Sequence, residues 1–356
     1  MAIRQLSLTD FRNLEPAELE FHPHANLIFG ANGSGKTSLL EAIYVLCQGQ
    51  SFRCHYLKQC IRHDQNQFVL FGRFDSYKAG LAKSPRKLEI HLNDETVKRR
   101  SELVRQSPVS IVNAGSFELI DGPPLKRRRF LDWCLFHVEP DYADCWVASQ
   151  HALKQRNRLL KSQRDLHLLD YWDRHLCEPS EKIHRMRERY AVELTEIIET
   201  ELKGLVEDLP VVSLYQPGWS RDKTLSEALI ADRGRDRKAG FTHSGIHRDD
   251  MKFSLGANPA AEVLSRGQSK RFCLALILTA LKLVLRYSSK QIILLIDDLQ
   301  SELDTKAQDL IYHQLQQLDV QLFISNIEPT VPTPLQGKEF KMFHVEHGTI
   351  GPSNFS

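Results

Sequence analysis

The spacing of apolar residues divides the chain into a β-rich beginning and a more helical remainder. In the first hundred residues apolar and polar side chains alternate over short runs, which predicts strands. Residues 78–87, polar with Gly and Pro, are predicted to form a loop or hairpin. The predicted strands are 3–8, 14–21, 27–29, 68–74 and 87–92, followed by a last apolar run at 109–112.

A mostly helical stretch follows. A helix is predicted to begin at 121–124, because proline fits the first turn of a helix. Apolar residues then recur every three or four positions to about residue 207, with a break predicted at 178–180, around a proline. The pattern over 183–209 suits a helical hairpin but is too short and irregular for a long coiled coil.

The final third of the chain alternates strands with helices. Its predicted elements are a strand at 211–215, a basic loop at 233–238, short strands within 241–255, an amphipathic helix at 266–285, a buried strand at 291–296, a helix at about 304–318, a strand at 320–324 and an edge strand within 340–350. Strands that alternate with helices predict an α/β domain.

The loop after the third predicted strand carries the clearest chemistry. The pattern G-x-x-x-x-G-K-[ST] is matched by Gly30, Ala31, Asn32, Gly33, Ser34, Gly35, Lys36 and Thr37. Glycines allow backbone N–H groups to turn inward around an anion, and the following helix N-terminus adds partial positive charge. Lys36 is predicted to reach the β- and γ-phosphates of ATP and to act in catalysis, and Thr37 to ligate Mg²⁺. An ordinary glycine-rich turn is the alternative.

A phosphate loop needs a carboxylate partner for Mg²⁺, and the run of apolar residues at 292–296 ends in two of them. A buried strand there places Asp297 at the edge where open α/β sheets bind ligands, so Asp297 is predicted to hold Mg²⁺. Asp298 is predicted to be catalytic, by orienting the attacking water. Two solvated acids at a strand end are the alternative. Lys36 and Asp297 lie 261 positions apart, which indicates an insertion, most simply the helical stretch from 115 to 208.

Charge and composition limit the partners. The 356 residues suffice for one large or two modest domains, and the net charge of +2 means that a DNA surface must be a local patch. No helix-turn-helix, zinc-finger or aromatic RNA-binding signature is present. A solvated charged face is the alternative for each basic cluster taken singly. Taken together, the clusters are predicted to contact DNA phosphates without reading sequence. They are Lys98-Arg99-Arg100, Lys126-Arg127-Arg128-Arg129, Arg185, Arg187 and Arg189, and Arg233, Arg235, Arg237 and Lys238.

The cysteines and the apolar runs bear on location. Seven cysteines without a C-x-x-C pair fit reduced thiols better than a disulfide framework or a zinc site. The N-terminus has no signal-peptide core, and no apolar stretch is long enough to cross a bilayer. The expected location is therefore the cytoplasm, with no membrane partner.

Two further motifs indicate the class of ATPase. Residues 264–268 read L-S-R-G-Q before the predicted long helix, and residues 301–304 read S-E-L-D after the acidic strand. This order of motifs resembles the ABC-type ATPases. The resemblance implies that Ser265, Gly267 and Gln268 bind, in trans, the γ-phosphate held by a second copy of the chain, so that ATP joins a homodimer. An N-capped helix start is the alternative for this motif alone.

Several segments together resemble the RecF family of bacterial recombination and gap-repair proteins. They are Leu8-Thr9-Asp10-Phe11-Arg12-Asn13-Leu14, residues 30–44, Gly49-Gln50-Ser51-Phe52-Arg53, residues 122–133, Lys154-Gln155-Arg156-Asn157, His247-Arg248-Asp249-Asp250, residues 264–268 and residues 297–304. The resemblance implies an α/β fold: an ABC-type P-loop ATPase head with an inserted, mostly helical second lobe, related to SMC ATPases but without their long coiled coil. The expected division is 1–112 with 210–356 for the head and 113–209 for the lobe.

The same resemblance implies a function. The expected activity is ATP-dependent binding of double-stranded and gapped DNA by a dimer, with slow ATP hydrolysis as a switch. It also implies work with RecR and RecO to load RecA during gap repair, replication-fork maintenance and the SOS response, and Arg12 as a further ATP contact. Residues 113–116 and Ser325-Asn326 depart from the family, so the γ-phosphate sensor is left unassigned. The alternative is the nucleotide-binding ATPase subunit of a membrane transporter, which shares the motifs but not the paired aspartates or the basic lobe.

Overall fold

In a computed structural model, residues 2–201, 205, 211–337 and 339–352 are described. The chain forms two compact units, Met1–Phe117 with Leu285–Ser356, and Glu118–Val284. The expected head and lobe boundaries, at 112/113 and 209/210, stay a prediction. The second of them lies outside the described residues.

The first unit begins with eight strands and two helices. In chain order they are β1 (Ile3–Thr9), β2 (Ala17–Glu20), β3 (Ala25–Phe29), α1 (Lys36–Gln48), β4 (Phe68–Phe74), β5 (Lys78–Lys83), β6 (Leu88–Leu92), β7 (Glu95–Thr96), α2 (Arg100–Val104) and β8 (Val109–Val112). Single 3₁₀ turns lie at Leu57–Cys60 and Ala114–Phe117. Of the two options predicted for 78–87, the structure has the hairpin, because β5 pairs antiparallel with β6.

The second unit is mostly helical and carries a small sheet. Its elements are α3 (Glu118–Asp121), α4 (Pro124–Val138), α5 (Tyr142–Ser162), α6 (Leu169–Glu201), β9 (Val211–Gln216), α7 (Leu225–Ala239), β10 (Asp250–Leu255), β11 (Asn258–Pro259), α8 (Ala260–Val263) and α9 (Arg266–Tyr287). The first unit then resumes, and its last elements are β12 (Ile292–Asp297), α10 (Thr305–Leu315), β13 (Val320–Asn326), β14 (Lys341–Glu346) and β15 (Thr349–Pro352).

Two six-stranded sheets form the first unit. One is antiparallel throughout, in the order β2-β1-β4-β5-β6-β7. The other runs β15-β14-β3-β13-β12-β8 and is parallel except for the β14–β15 hairpin. The prediction of an edge strand within 340–350 is wrong in its position, because β14 lies between β3 and β15 and the final strand takes the edge.

Helix α1 fills the space between the two sheets. It contacts β4 and β5 of one sheet and β8, β12 and β13 of the other. Leu39, Leu40 and Ile43 are completely buried there, as expected for a helix that is apolar on nearly every side. The buried Gln321 joins the sheets directly, since its amide nitrogen donates to the carbonyls of Ile3 and His22. The phosphate loop therefore starts from a rigid base.

Two helix boundaries in the second unit differ from prediction. The predicted break at 178–180 is wrong, since α6 continues through Pro179. Leu176 and Ile183 on either side are buried, and their packing outweighs the hydrogen bond that proline removes. The predicted loop at 233–238 is also wrong, because it is the last part of α7, which starts with a capping box at Thr224 and ends at Gly240 with φ 74°.

The remaining predictions for this unit are partly confirmed. Of the short strands predicted within 241–255, only Asp250–Leu255 forms, and residues 241–249 are a loop. α5 and α6 pack on each other as a helical hairpin, and α6, the longest helix in the described residues, has 33 residues. Part of the pattern at 183–209 lies outside the described residues. The part that is described contains no long coiled coil. Within the same residues, no helix has the length and apolar character that a bilayer crossing requires.

Candidate nucleotide site and nucleic-acid surface

The phosphate loop has the backbone that its glycines predict. β3 ends at Phe29, α1 begins at Lys36, and residues 31–33 between them form an exposed tip. Gly30 has φ 152° and Gly35 has φ 124°, values that other residues rarely adopt. A Cβ at Gly30 would also lie 2.2 Å from the carbonyl oxygen of Val345 in β14. Glycine is therefore required at this position by two independent constraints.

Lys36 lies over this loop. Its Nζ donates to the carbonyls of Gly30 at 2.7 Å and Ala31 at 2.9 Å. Burial lowers the pKa of Lys36, while the charges of Asp298 and Asp297 oppose that shift. The ammonium group thus caps two carbonyls of the loop, and its contact with the phosphates of ATP stays a prediction. The buried hydroxyl of Ser34 has no hydrogen-bond partner within the described part of the chain, so the loop retains a donor for an anion.

The structure brings the two predicted magnesium ligands together. Thr37 Oγ1 lies 3.1 Å and 3.0 Å from the two carboxylate oxygens of Asp297. The parallel pairing of β12 with β13 places Asp297 opposite Ser325, whose Oγ donates to Asp297 Oδ1 at 2.7 Å. The same Oγ accepts from the backbone N–H of Asp298 at 3.1 Å. Ser325 thus fixes the acidic pair, a role that the sequence did not reveal.

Asp298 and Asn326 complete this edge of the sheet. Asp298 has φ 52°, a left-handed conformation that is unfavourable for a residue other than glycine and is held by the Ser325 contact. Asn326 ends β13 and donates to the carbonyl of Thr330 at 3.2 Å. Its side-chain oxygen is buried and has no hydrogen-bond partner among the residues described.

Asn13 is a functional residue that sequence reasoning missed. Its Nδ2 donates to the Ser34 carbonyl at 3.3 Å, and its Oδ1 accepts from Ser38 Oγ at 2.8 Å. The backbone N–H of Gly348 donates to the same Ser34 carbonyl at 2.9 Å. The turn before β2 and the turn after β14 therefore hold the phosphate loop from two sides. The signal available in the sequence was that Asn13 directly follows Arg12 within the family-like segment 8–14.

Arg12 contacts the helix that follows the loop instead of the loop itself. Its guanidinium pairs with both carboxylate oxygens of Glu41, at 3.0 Å and 2.7 Å, and donates to the Gln59 carbonyl at 2.8 Å. The side chain also lines an open cleft of about 530 Å³ beside the loop. Its role as an ATP contact stays a prediction. The cleft is lined by Arg12, Asn13, Ser38, Arg53, Gln59, Ile61, Arg62 and His63.

The L-S-R-G-Q motif forms the start of α9 in the second unit. Ser265 and Gln268 make a reciprocal cap, in which Ser265 Oγ accepts from the Gln268 N–H at 3.3 Å and Gln268 Oε1 accepts from the Ser265 N–H at 2.9 Å. Residues 264–268 therefore do form an N-capped helix start, which was the alternative interpretation of this motif. Gly267 is exposed, and a Cβ there would meet no heavy atom of the described residues within 4 Å. Internal packing thus gives no reason for glycine at this position.

Several of the basic residues assigned to DNA contact are used inside the second unit. Arg127 is buried and pairs with both oxygens of Asp250 at 2.7 Å and 3.0 Å. Arg187 is buried between Asp249 and Asp132, at 2.5 Å from each. The DNA assignment is wrong for these two arginines, because both are buried in ion pairs and leave no exposed guanidinium for a phosphate. Arg233 is likewise paired, with Asp170 and Asp173.

A basic stripe on α5 was missed. Lys154, Arg158 and Lys161 are exposed and recur at i, i+4 and i+7, so they lie on one face of the helix. They line a shallow groove of about 830 Å³ whose other lining residues carry no acidic group. The end of α7 adjoins this face, since the Arg237 carbonyl accepts from Gln163 Nε2 at 2.7 Å. Exposed Arg237 and Lys238 extend the positive surface.

A P-loop helix packed between two sheets, with a carboxylate at the end of β12, two strands away from β3 in the parallel sheet, defines an ATPase head of the SMC type. The family model described as the RecF/RecN/SMC N terminal domain matches residues 2–350. A solved Smc head bound to the C-winged helix domain of ScpA has a TM-score of 0.57 at 13% identity and supports the fold alone.

More similar relatives narrow the class. DNA replication and repair protein RecF of Stutzerimonas stutzeri is 39% identical over 367 residues, 99% of each chain. The protein of the same name from Shewanella piezotolerans is 36% identical over 360 residues, 98% of this chain and 99% of its own. A solved structure titled recombination mediator protein RecF-ATP in the RecFOR pathway superposes with a TM-score of 0.88 at 25% identity, covering 99% and 98% of the chains. The chain belongs to the RecF family of DNA replication and repair proteins.

Proposed function

We propose that this chain is an ATP-switched DNA-binding protein of recombinational gap repair and replication-fork maintenance. The observation that carries the proposal is the contact of Thr37 with Asp297 beside a complete phosphate loop. This contact supports ATP binding as the event that controls dimerisation and DNA binding. The full-length similarity to repair proteins of the RecF family supports the biological role. The relatives reported above are DNA repair proteins, which favours this role over the alternative role in a membrane transporter.

The donor set fits a nucleotide with Mg²⁺. A hydroxyl and a carboxylate are the hard oxygen ligands that Mg²⁺ prefers, and Thr37 and Asp297 would hold it. Bound there, the ion would offset negative charge on the phosphates. Lys36 would exchange its two carbonyl contacts for phosphate oxygens, and Ser325 would keep Asp297 and Asp298 in place. Asp298 would orient a water, which gives weak hydrolysis that serves as a switch.

ATP would also join two copies of the chain. Exposed Ser265 and Gly267 stand at a helix N-terminus, which favours an anion, and Gly267 has no packing neighbour within the described residues that requires glycine. A phosphate held by a second copy supplies the missing reason for that glycine. Gln268, already bonded to the Ser265 N–H, would keep the serine in position.

DNA would bind through exposed cations without reading sequence. The stripe of Lys154, Arg158 and Lys161, with Arg237 and Lys238 beside it, offers contacts to phosphates of double-stranded or gapped DNA. The solved relative is a recombination mediator protein of the RecFOR pathway, which supports RecR and RecO as partners. The outcome proposed for this partnership is the loading of RecA. Such work belongs in the cytoplasm, where chromosomal DNA lies.

Sedimentation of the full-length protein with and without ATP and duplex DNA tests the proposal. We expect a monomer without ATP, a dimer with it, and DNA binding that ATP strengthens and salt weakens. Lys36→Met should lose about 30-fold in ATP affinity, as expected for one hydrogen bond to a charged group, and should lose both responses. Ser265→Arg should still bind ATP but stay monomeric. A Ser265→Arg protein that dimerises with ATP, or DNA affinity that neither ATP nor salt changes, would contradict the proposal.

A further inference from the structure

Two of the cysteines lie side by side next to the cleft that Arg12 lines. The sulfur atoms of Cys54 and Cys60 are 3.7 Å apart, against roughly 2 Å in a disulfide. Only five residues separate the two positions, and Cys60 ends the 3₁₀ turn Leu57–Cys60. A small movement of this segment would bring the sulfurs into bonding distance.

The two thiols have different surroundings. Cys54 is half-buried, and its sulfur accepts from Arg12 Nη2 at 3.4 Å. Cys60 is fully buried and its thiol donates to Glu41 Oε1 at 3.6 Å. Burial and then the Glu41 carboxylate raise the pKa of the Cys60 thiol far above its usual value. Cys54 therefore suits the role of the thiol that is oxidised first, and Cys60 that of the thiol that resolves it.

A metal ion is the competing occupant, because ligand atoms of Glu41, Cys54 and Cys60 lie within 4.8 Å of one another. The charges argue against it. Both oxygens of Glu41 already accept from guanidinium groups, those of Arg12 and Arg53, which would repel a cation. Metal binding would also need both thiols deprotonated. Two neighbouring thiols beside two cations favour oxidation chemistry instead.

We propose that Cys54 and Cys60 form a reversible disulfide, beside the cleft that Arg12 lines, in response to peroxide. The Cys54 thiolate attacks one peroxide oxygen, forms a sulfenic acid and releases one water. The sulfur of Cys60 then attacks the sulfur of Cys54, and the hydroxyl leaves with the Cys60 proton as a second water. The two thiols lose two electrons, peroxide gains them, and a dithiol reductant reverses the reaction.

The disulfide would alter ATP binding through Arg12, a step that rests on the proposed function and on the predicted role of Arg12 as an ATP contact. The backbone N–H of Arg12 donates to the Cys60 carbonyl at 2.8 Å, and its guanidinium holds Gln59 and the sulfur of Cys54. Formation of the disulfide would break the hydrogen bond between Arg12 and Cys54. It would also shift Arg53, which lines the same cleft. We expect ATP affinity to fall by a factor on the order of five, as for the removal of one hydrogen bond.

Peptide mapping tests the site directly, because trypsin cleaves after Arg53, Lys58 and Arg62 and places the two cysteines in separate peptides, 54–58 and 59–62. The full-length protein is reduced, treated with hydrogen peroxide, alkylated and digested without reductant. We expect the two peptides to appear linked, two hydrogens lighter than their sum, and to separate after dithiothreitol. The linked pair should vanish in Cys54→Ser and in Cys60→Ser and persist in Cys177→Ser.

The outcomes separate this proposal from the proposed function. Free thiols at both positions after peroxide, Cys54 found only as sulfinic or sulfonic acid, or Cys54 linked to a second chain on a non-reducing gel would overturn the disulfide, whatever the ATP affinity. A mapped disulfide with unchanged ATP affinity would overturn its coupling to the cleft. Failure of the reduced protein to bind ATP would contradict the proposed function and leave the mapped disulfide standing. Cys54→Ser changes only a half-buried position, so it keeps the test valid if Cys60→Ser folds poorly.

Discussion

In the first unit the charged motif residues gather around a phosphate loop, whereas in the second unit they are buried in ion pairs. Lys36, Asp297 and Asp298 lie at the carboxyl end of the parallel sheet, and each has polar partners that a ligand can replace or share. Arg156, from the family-like stretch 154–157, and Arg187, from a basic cluster, are almost completely buried between aspartates. A characteristic motif in this chain can therefore serve either chemistry or architecture, and burial distinguishes the two.

The largest expected effect is on the architecture. Arg187→Met should lower the free energy of unfolding by about 3–5 kcal/mol, because Asp249 and Asp132 would lose the cation that compensates their buried charge. Urea unfolding followed by circular dichroism measures the loss. Arg185→Met, exposed on the same helix, is the control and should change stability by less than about 0.5 kcal/mol. Equal losses in both variants would show that the buried pair has no special role.

A smaller effect is expected on chemistry alone. Asp298→Asn should lower the rate of ATP hydrolysis about 100-fold, since it removes the group that orients water, while ATP-driven dimerisation and DNA binding continue. Phosphate release and sedimentation of the same preparation give both readouts. Urea unfolding should match the unsubstituted protein. Normal hydrolysis in this variant would remove Asp298 from its assigned role.

The smallest effect per residue is expected on the surface. Replacing Lys154, Arg158 and Lys161 together with Gln should flatten the dependence of log affinity on log salt for duplex DNA, by about 0.9 for each phosphate that the variant no longer neutralises. Stability should stay unchanged, since all three are exposed. A control with the same change in net charge replaces the exposed Lys78, Arg86 and Lys87 of the first unit. An identical salt response in both triple variants would mean that the affinity for DNA depends on net charge and not on the position of the stripe on α5.

The sequence predicted the nucleotide half of the molecule well because its signals are local. Glycines that need positive φ, a lysine and threonine at fixed offsets, and an apolar strand that ends in Asp297 are all visible without a partner. The contact of Ser325 with Asp297 was not visible in the sequence, because it depends on the register between β12 and β13, which only the folded sheet sets. The pairing of Arg12 with Glu41 was not visible in the sequence either, since Glu41 faces Arg12 only after α1 packs.

The helical half was harder to predict because its polar residues are matched over long separations. Arg127 finds Asp250 at a sequence distance of 123, and Arg187 finds Asp249 at 62. Read along the chain, these arginines are indistinguishable from a solvated basic cluster. Pro179 failed as a helix breaker for a related reason, since buried neighbours on both sides hold the helix together.

The place of β3 between β13 and β14 has a consequence for how the protein is made. The strand that carries the phosphate loop is synthesised within the first thirty residues, yet its two sheet neighbours begin at Val320 and Lys341. At ribosomal rates of about 5–20 residues per second, roughly 15–60 s pass between the synthesis of β3 and the synthesis of β13, its first neighbour in the sheet. A nascent chain thus carries the loop sequence long before it has a pocket, and the capacity to hold a nucleotide arrives only after β13 and β14 have been synthesised.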